Sequence, residues 1–289
     1  MKESRRKSLA DRIHESKSDI QASLEKTAQV LTENAAQAVG PDSSVQKESE
    51  PALASTPPPV RLERPLSSGN GLVRRAYQYA EIHRLREKIV SSLLEKGQKV
   101  VLATGPHDNA GTSTIMALLA YNAAFYTGMN VLLADLNMRN PNLHKHFGLQ
   151  MEYGFRETAA GLVDWKNTVK DTDLPRLKLI TAGHYDGELY PFLNRSFLEK
   201  WLDELKGAFD LLFLDTSPVL LENRNNVDPV LLSLLGDMTI LVVQDKKTRI
   251  RDLEEMVKSI TEGDGKIEGV VYNQQFQGIL RPLRWGSAR

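Results

Sequence analysis

Six short apolar runs, separated by stretches with helical spacing, constrain the fold of this chain more than any other feature. Each run is apolar along its whole length instead of alternating with polar residues, which is typical of parallel strands covered on both faces. Such runs indicate repeated βαβ units when they alternate with helices. They span residues 99–104, 130–135, 177–181, 210–215, 238–243 and 269–273, and follow a predicted helix over residues 74–95. We therefore expect an α/β fold with a doubly wound, mostly parallel sheet.

The first 70 residues differ in composition from the rest, being rich in Ser, Gln, Glu, Ala and Pro. Within them, PALASTPPPVRLERPLSSGNG has the composition of an extended linker. Five apolar residues before it fall on one stripe of a helix: Leu9, Ile13, Ile20, Leu24 and Leu31. We therefore expect a largely disordered tail over residues 1–70, with one amphipathic helix that is either transient or docks to a partner. The folded domain is predicted over residues 71–289.

Charge balance and the absence of cysteine exclude several classes of protein. The chain has 37 basic and 37 acidic residues, which argues against a dedicated nucleic-acid-binding protein. Without cysteine it has no disulfides, no thiolate zinc sites and no thiol nucleophile. No apolar run approaches the roughly 20 residues that span a bilayer. We expect a cytoplasmic protein with no transmembrane segment of its own.

The first apolar run leads into a loop whose sequence is typical of phosphate binding. The loop ends at Gly111, and the next predicted helix begins with Thr112, Ser113 and Thr114. Backbone N–H groups of such a loop and helix start bind phosphate through partial charge and hydrogen bonds. A phosphate-binding loop usually carries lysine where this chain has Thr112, so the loop alone leaves nucleotide binding open.

Two other predicted strands end in aspartate. Asp135 ends the second run and Asp215 ends the fourth. Because the carboxyl ends of parallel strands meet at one edge of the sheet, these carboxylates and the Ser113 hydroxyl form a candidate Mg²⁺ site. An aspartate at a strand end is also a common helix cap, and that interpretation stays open.

Several segments together resemble the bacterial tyrosine kinases of capsule and exopolysaccharide operons. VLLADLNMRNPNLHKHFGL is similar to the deviant Walker segment of that family, FDLLFLDTSPVL to its Walker B segment, and LVVQDKKTRIRDLEE with GVVYN to the strand–helix–strand that follows. The resemblance covers residues 74–273. It implies a P-loop NTPase-like fold, ATP-dependent protein-tyrosine kinase activity, ATP or ADP with Mg²⁺ as cofactors, and kinship with the partition and septum-placing ATPases.

The resemblance also implies roles for particular residues. It gives catalytic roles to Asp135, Arg139 and Asp215, and a Mg²⁺ site to Ser113, Asp135 and Asp215. It gives nucleotide contacts to Gly111, Thr112, Ser113, Thr114 and Asn273. Asn273 stands where family members contact the adenine ring, and a capping or turn role for this residue is the alternative.

The departures from the family pattern fall on the chemistry. Where a working member reads Pro-Gly-Glu-Gly-Lys-Ser, this chain reads Asp-Asn-Ala-Gly-Thr-Ser, so that Thr112 replaces the lysine and Asp108 adds negative charge. Asn137 replaces the second acid of the Asp-x-Asp pair, and an amide cannot take a proton at neutral pH. No tyrosine follows Tyr272, although these kinases usually phosphorylate tyrosines in a C-terminal tail. Two lysines remain as candidate substitutes for the missing one: Lys246 and Lys247.

The helix before the first strand is similar to the assembly helix of the family. The three positions of its Glu-x-x-Arg-x-x-Arg pattern are occupied by Ala80, His83 and Arg86, so only the last one matches. A ring or another homo-oligomer is therefore left open.

Taken together, these features favour a degenerate relative of the tyrosine autokinases. It would regulate exopolysaccharide or capsule synthesis by docking to a membrane polysaccharide co-polymerase, at the inner face of the cell membrane, with or without bound nucleotide. The first alternative is an active ATP-dependent tyrosine kinase of the same pathway. The second is a partition-type ATPase, which would need a lysine where Pro106 and His107 stand.

Overall fold

A computed structural model describes residue 73 and residues 78–221, 226–244 and 247–273 of the chain. The tail predicted for residues 1–70, with its amphipathic helix and linker, lies outside the described residues, as does Lys246. The division of the chain at residues 70 and 71 stays a prediction. Within the described ranges, no helix is long and apolar enough to cross a membrane.

Seven strands form one sheet in the described residues, in the order β3-β4-β2-β5-β1-β6-β7. The strands are β1 Val100–Thr104, β2 Val131–Asp135, β3 Val169–Asp171, β4 Leu177–Ile180, β5 Leu211–Asp215, β6 Met238–Gln244 and β7 Gly269–Asn273. All neighbours are parallel except β3 and β4, which are antiparallel. This confirms the predicted fold class, and each predicted strand lies within one residue of its observed bounds. β3 was not predicted because its sequence, Val-Lys-Asp, carries no apolar run.

Helices cover both faces of the sheet. They are α1 Ala80–Glu95, α2 Thr112–Thr127, α3 Leu143–Phe147, α4 Phe155–Ala159, α5 Arg195–Ala208, α6 Pro229–Leu235 and α7 Ile250–Glu262, with a 3₁₀ turn at Trp165–Thr168. Residues Ile115–Ala124 of α2 are all buried. A helix that is apolar around its whole circumference is enclosed by protein, and α2 is enclosed by the sheet and α1.

The sheet separates two apolar cores, because successive strand residues point to opposite faces. In β1, Val101 and Ala103 pack in the core that holds α1 and α2. Val100 and Leu102 pack in the other core, with residues of α4, α5 and α6. This burial on both faces is the physical reason that the strand sequences are apolar throughout.

The register of the sheet brings the strand-end residues together. Asp135 of β2 lies directly opposite Asp215 of β5, and Asp215 is paired on its other side with Ala103 of β1. The ends of β2 and β5 therefore meet the loop that follows β1. At the sheet edge, Asn273 of β7 is paired with Gln244 of β6. β7 is half-buried along its length because it is an edge strand, so the predicted burial on both faces is wrong for the run 269–273, which includes Tyr272.

Candidate functional site

The loop between β1 and α2 has a conformation that requires glycine at its end. Gly111 is the N-cap of α2 with a φ of 96°, a region that L-residues rarely adopt. A Cβ at this position would also lie 2.1 Å from Nδ2 of Asn273. Because Gly111 offers no side-chain cap, the first N–H groups of α2 are left for a ligand or for water.

Asn273 fastens this loop to β7. Its Nδ2 donates a hydrogen bond to the Ala110 carbonyl at 2.9 Å. This contact fits the turn-stabilising alternative given above, and the adenine contact implied by the family stays a prediction. On the other side of the loop, a ring nitrogen of His107 lies 3.2 Å from the Thr248 hydroxyl. The loop is thus attached to the end of β7 and to the segment that follows β6.

A cavity of about 270 Å³ opens over the loop and the start of α2. Its lining includes the predicted nucleotide residues Gly111–Thr114, and Asn273 lies beside it without lining it. No lysine or arginine of the described residues lines this cavity. The remaining lining residues are His107, Asp108, Asn109, Ala110, Asn137, Asn140, Asn142, His146, Thr216 and Pro218. A phosphate bound here would rely on backbone N–H groups, hydroxyls and the α2 N-terminus.

Asp135 is fully buried and caps the segment that follows β2. Its Oδ2 accepts hydrogen bonds from the N–H groups of Asn142 and Leu143, both at 3.1 Å, and its Oδ1 accepts one from the N–H of Asn137 at 3.2 Å. Burial raises the pKa of Asp135 to about 7, against the opposing effect of these hydrogen bonds and of the Arg156 charge. Asp135 therefore caps the start of α3, as the helix-cap interpretation predicts.

Asp215 is also fully buried, but neither of its oxygens accepts a hydrogen bond of ordinary geometry from the described residues. Burial, and then the charge of Asp135, raises the pKa of Asp215 well above its usual range, while the nearby Ser113 hydroxyl lowers it. An unpartnered buried carboxylate is costly, and a cation would satisfy it. The chemistry of this carboxylate and hydroxyl therefore fits Mg²⁺.

A Mg²⁺ at this place would be held mainly by the ligand and by water. The described residues contain no cluster of three or more His, Cys, Asp or Glu suited to a metal. Mg²⁺ in nucleotide sites commonly uses one or two protein groups together with phosphate oxygens and waters. Ser113 and Asp215 would supply those groups, with Asp135 placed to act through water.

The segment after β2 carries Asn137, which replaces an acid of the family, and Arg139, which was predicted to be catalytic. Asn137 accepts a hydrogen bond from the N–H of Asn140 on its Oδ1 at 3.2 Å, so its side chain stabilises a turn. Arg139 does not line the cavity. Its Nε donates to Oδ2 of Asp108 at 3.1 Å, across the loop mouth. The structure thus brings the expected catalytic arginine to Asp108, the acidic residue of the loop.

Sequence reasoning missed Arg156 of α4. Its guanidinium donates hydrogen bonds to the carbonyl oxygens of Met138 and Tyr185, the latter at 2.9 Å. It thereby joins the segment after β2 to the segment after β4, and its charge lowers the pKa of Asp135. No local motif marks this arginine, since its role depends on where α4 packs.

Lys247 and Arg86 also have observed positions that bear on the predictions. Lys247 is exposed and does not line the cavity. Arg86 of α1 is only 12% exposed, and its Nε donates to Oδ1 of Asn122 in α2 at 3.0 Å. The one residue that matches the assembly pattern therefore makes a contact within its own chain.

Comparison with known proteins shows what the chain is similar to. No protein-family model matches the chain. The tyrosine-protein kinase EpsB of Ralstonia solanacearum, named as putative, is 27% identical over 190 residues, which are 65% of this chain and 24% of that protein. The tyrosine-protein kinase CpsD of Streptococcus agalactiae is 24% identical over 193 residues, 66% of this chain and 82% of that protein. The chain is similar to bacterial tyrosine-protein kinases over about two thirds of its length. It spans about a quarter of the length of EpsB.

Several solved structures share the fold of this chain. The kinase domain of Escherichia coli tyrosine kinase ETK matches with a TM-score of 0.66 at 19% identity, over 74% of this chain and 83% of that one. The chimerical protein CapA2B2 matches with a TM-score of 0.62 at 21% identity, over 71% and 89%. The septum site-determining protein MinD of Pyrococcus horikoshii, solved with Mg-ADP, matches with a TM-score of 0.51 at 19% identity, over 60% and 69%.

Proposed function

We propose that this homologue of the bacterial tyrosine kinases is a degenerate member that binds nucleotide weakly or not at all and regulates by docking. In this role it controls capsule or exopolysaccharide synthesis through a membrane polysaccharide co-polymerase, at the inner face of the cell membrane. The pathway is supported by the kinship with capsule and exopolysaccharide kinases. The co-polymerase partner is supported by the family resemblance.

The observation that carries this proposal is a phosphate cavity that no lysine or arginine of the described residues lines. A hydrogen bond to a charged group contributes about 1.5–3 kcal/mol, so loss of the loop lysine alone weakens ATP binding about tenfold or more. Phosphoryl transfer depends almost entirely on positioning and charge stabilisation. A comparable cation, the arginine finger, contributes about 10³–10⁵ in rate. The catalytic loss therefore exceeds the loss of binding.

Two further features support impaired transfer. Asn137 stands in place of an acid, and its side-chain oxygen accepts a hydrogen bond from a backbone N–H in the turn before α3. It has no proton-accepting group at neutral pH to activate a tyrosine hydroxyl. Residues 273–289 contain no tyrosine, whereas the family resemblance implies acceptor tyrosines in a C-terminal tail.

The test is calorimetric titration of the full chain with ADP–Mg²⁺ and with ATP–Mg²⁺, with phosphate release followed in parallel. We expect weak binding or none, and no turnover. Steady turnover would contradict the proposal and favour the active kinase, which retention of Ser113 beside the unpartnered Asp215 carboxylate also supports.

A repair variant sharpens this test. Thr112→Lys combined with Asn137→Asp restores the cation and the second acid, and we expect ATP affinity to rise about tenfold or more. The matched control is Lys178→Gln with Asp171→Asn, which removes an exposed ion pair that does not line the cavity. An unchanged affinity in the repaired protein would mean that the pocket rejects nucleotide for another reason.

A further inference from the structure

Two cationic side chains hydrogen-bond to residues that line the cavity, within the described part of the chain. Nε of Arg139 donates to Asp108, and Nζ of Lys145 donates to Oδ1 of Asn142 at 3.2 Å. Of the two, only Arg139 contacts the phosphate-binding loop itself. The loop that lacks its lysine therefore has a guanidinium at its rim, and that guanidinium is bound to a carboxylate of the same loop.

The carboxylate of Asp108 is poorly satisfied in this arrangement. Its Oδ2 accepts the hydrogen bond from Arg139, while its Oδ1 is buried without a hydrogen-bond partner in the described residues. The next residue, Asn109, has a φ of 63°, so the loop backbone is itself in an uncommon conformation here. Asp108 holds the guanidinium through one oxygen only, which is a weaker contact than a phosphate that binds it with two oxygens.

We infer that Arg139 is the phosphate-binding cation of this site in place of the missing lysine, and that Asp108 holds it at the rim until a nucleotide phosphate displaces the carboxylate. The inference rests on the proposed nucleotide site and adds both a binding residue and its regulation. Asp108 is in this view a built-in competitor for the ligand. The exchange would let the loop bind an anion although Asp108 carries a negative charge.

The exposure of the pair sets the balance of this exchange. The side chains of Arg139 and Asp108 are 41% and 30% exposed. An ion pair as exposed as this one stabilises the nucleotide-free protein, and it lowers the binding constant for nucleotide by a factor of about five at most. A charge-assisted hydrogen bond to phosphate is worth a factor of about ten or more. The guanidinium therefore gains by moving from the carboxylate to a bound phosphate.

A double-mutant cycle tests the inference in the full chain. The four proteins are the unmodified chain, Asp108→Asn, Arg139→Gln and the double variant, each titrated with ADP–Mg²⁺ by calorimetry. We expect Asp108→Asn to tighten binding up to about fivefold, because it frees Arg139. We expect Arg139→Gln to weaken it about tenfold or more. The gain from Asp108→Asn should be smaller in the Arg139→Gln background, where there is no guanidinium to release.

A competing explanation predicts the opposite order of the two gains in affinity from Asp108→Asn. If Asp108 acts only by repelling the anion, its replacement gains more in the Arg139→Gln background, where the carboxylate has lost its partner. Lys145→Gln is the charge-matched control and should weaken binding less than Arg139→Gln does. Asp171→Asn removes a distant exposed carboxylate and should leave affinity unchanged.

The outcomes separate this inference from the proposed function. The inference is overturned, with nucleotide binding intact, if Asp108→Asn gains more affinity in the Arg139→Gln background. It is also overturned if Arg139→Gln and Lys145→Gln lose equal affinity for ADP–Mg²⁺. Absence of binding in all four proteins, including Asp108→Asn, overturns the inference and removes the nucleotide from the proposed function, leaving docking alone. Near-UV circular dichroism of each variant verifies that the fold is retained.

Discussion

Replacing the unpartnered carboxylate of Asp215 should stabilise the protein at neutral and alkaline pH. Asp215 and Asp135 end neighbouring strands opposite each other, both fully buried, and burial raises the pKa of each. In the unfolded chain, both carboxyl groups ionise near pH 3.8. In the folded chain they hold protons to higher pH, so folding becomes less favourable as the pH rises between these values.

The magnitude follows from Asp135, whose pKa rises from 3.8 to about 7. Each pKa unit corresponds to about 1.4 kcal/mol, which gives an upper bound of about 4 kcal/mol of unfolding free energy lost between pH 4 and pH 7. Asp215→Asn removes the buried carboxyl whose pKa is raised by burial and by the charge of Asp135. We expect a gain of about 2 kcal/mol or more at pH 8, because that is the usual scale for an uncompensated buried polar group.

The assay is urea unfolding of the unmodified chain and of Asp215→Asn at pH 5 and pH 8, at constant ionic strength and without Mg²⁺. The stability gain should be largest at pH 8 and should shrink towards pH 5, where the native carboxyls are protonated. Asp171→Asn, at a carboxylate 84% exposed, is the control and should show no such pH dependence. A variant no more stable than the unmodified chain at pH 8, or a gain independent of pH, would refute this reasoning.

The loop and α4 give two other predictions. Gly111→Ala should destabilise the protein by more than about 1–2 kcal/mol, because it adds a collision with Asn273 to the cost of a left-handed backbone. Gly128→Ala, at a φ of 72° with nothing within 4 Å of its added Cβ, isolates that backbone cost, so equal losses in thermal unfolding would contradict the collision. Arg156→Gln should cost about 2 kcal/mol through its lost carbonyl contacts. This variant should lose more free energy of unfolding at pH 8 than at pH 5, because the Arg156 charge favours the ionised form of Asp135. Equal losses at the two pH values in urea unfolding would contradict this.

The fold class, and the edge of the sheet where the site lies, could be predicted from local sequence patterns. Strands buried on both faces must be apolar throughout, so the six predicted runs were visible without any long-range information. β3 escaped prediction because a three-residue antiparallel edge strand needs no such pattern. Parallel strands also place their carboxyl ends together, which was enough to predict that Asp135 and Asp215 meet.

The contacts of the polar side chains at that edge depend on the complete three-dimensional structure. Asp108 and Arg139 are 31 residues apart, and Asn273 binds a carbonyl 163 residues away. Arg156 lies in a helix whose own sequence shows no sign of a role at the site. A local pattern indicates which faces of a strand or helix are buried, because each buried position favours an apolar residue whichever residues pack against it. The partner of a polar group depends instead on the packing of whole elements, which is a property of the complete fold.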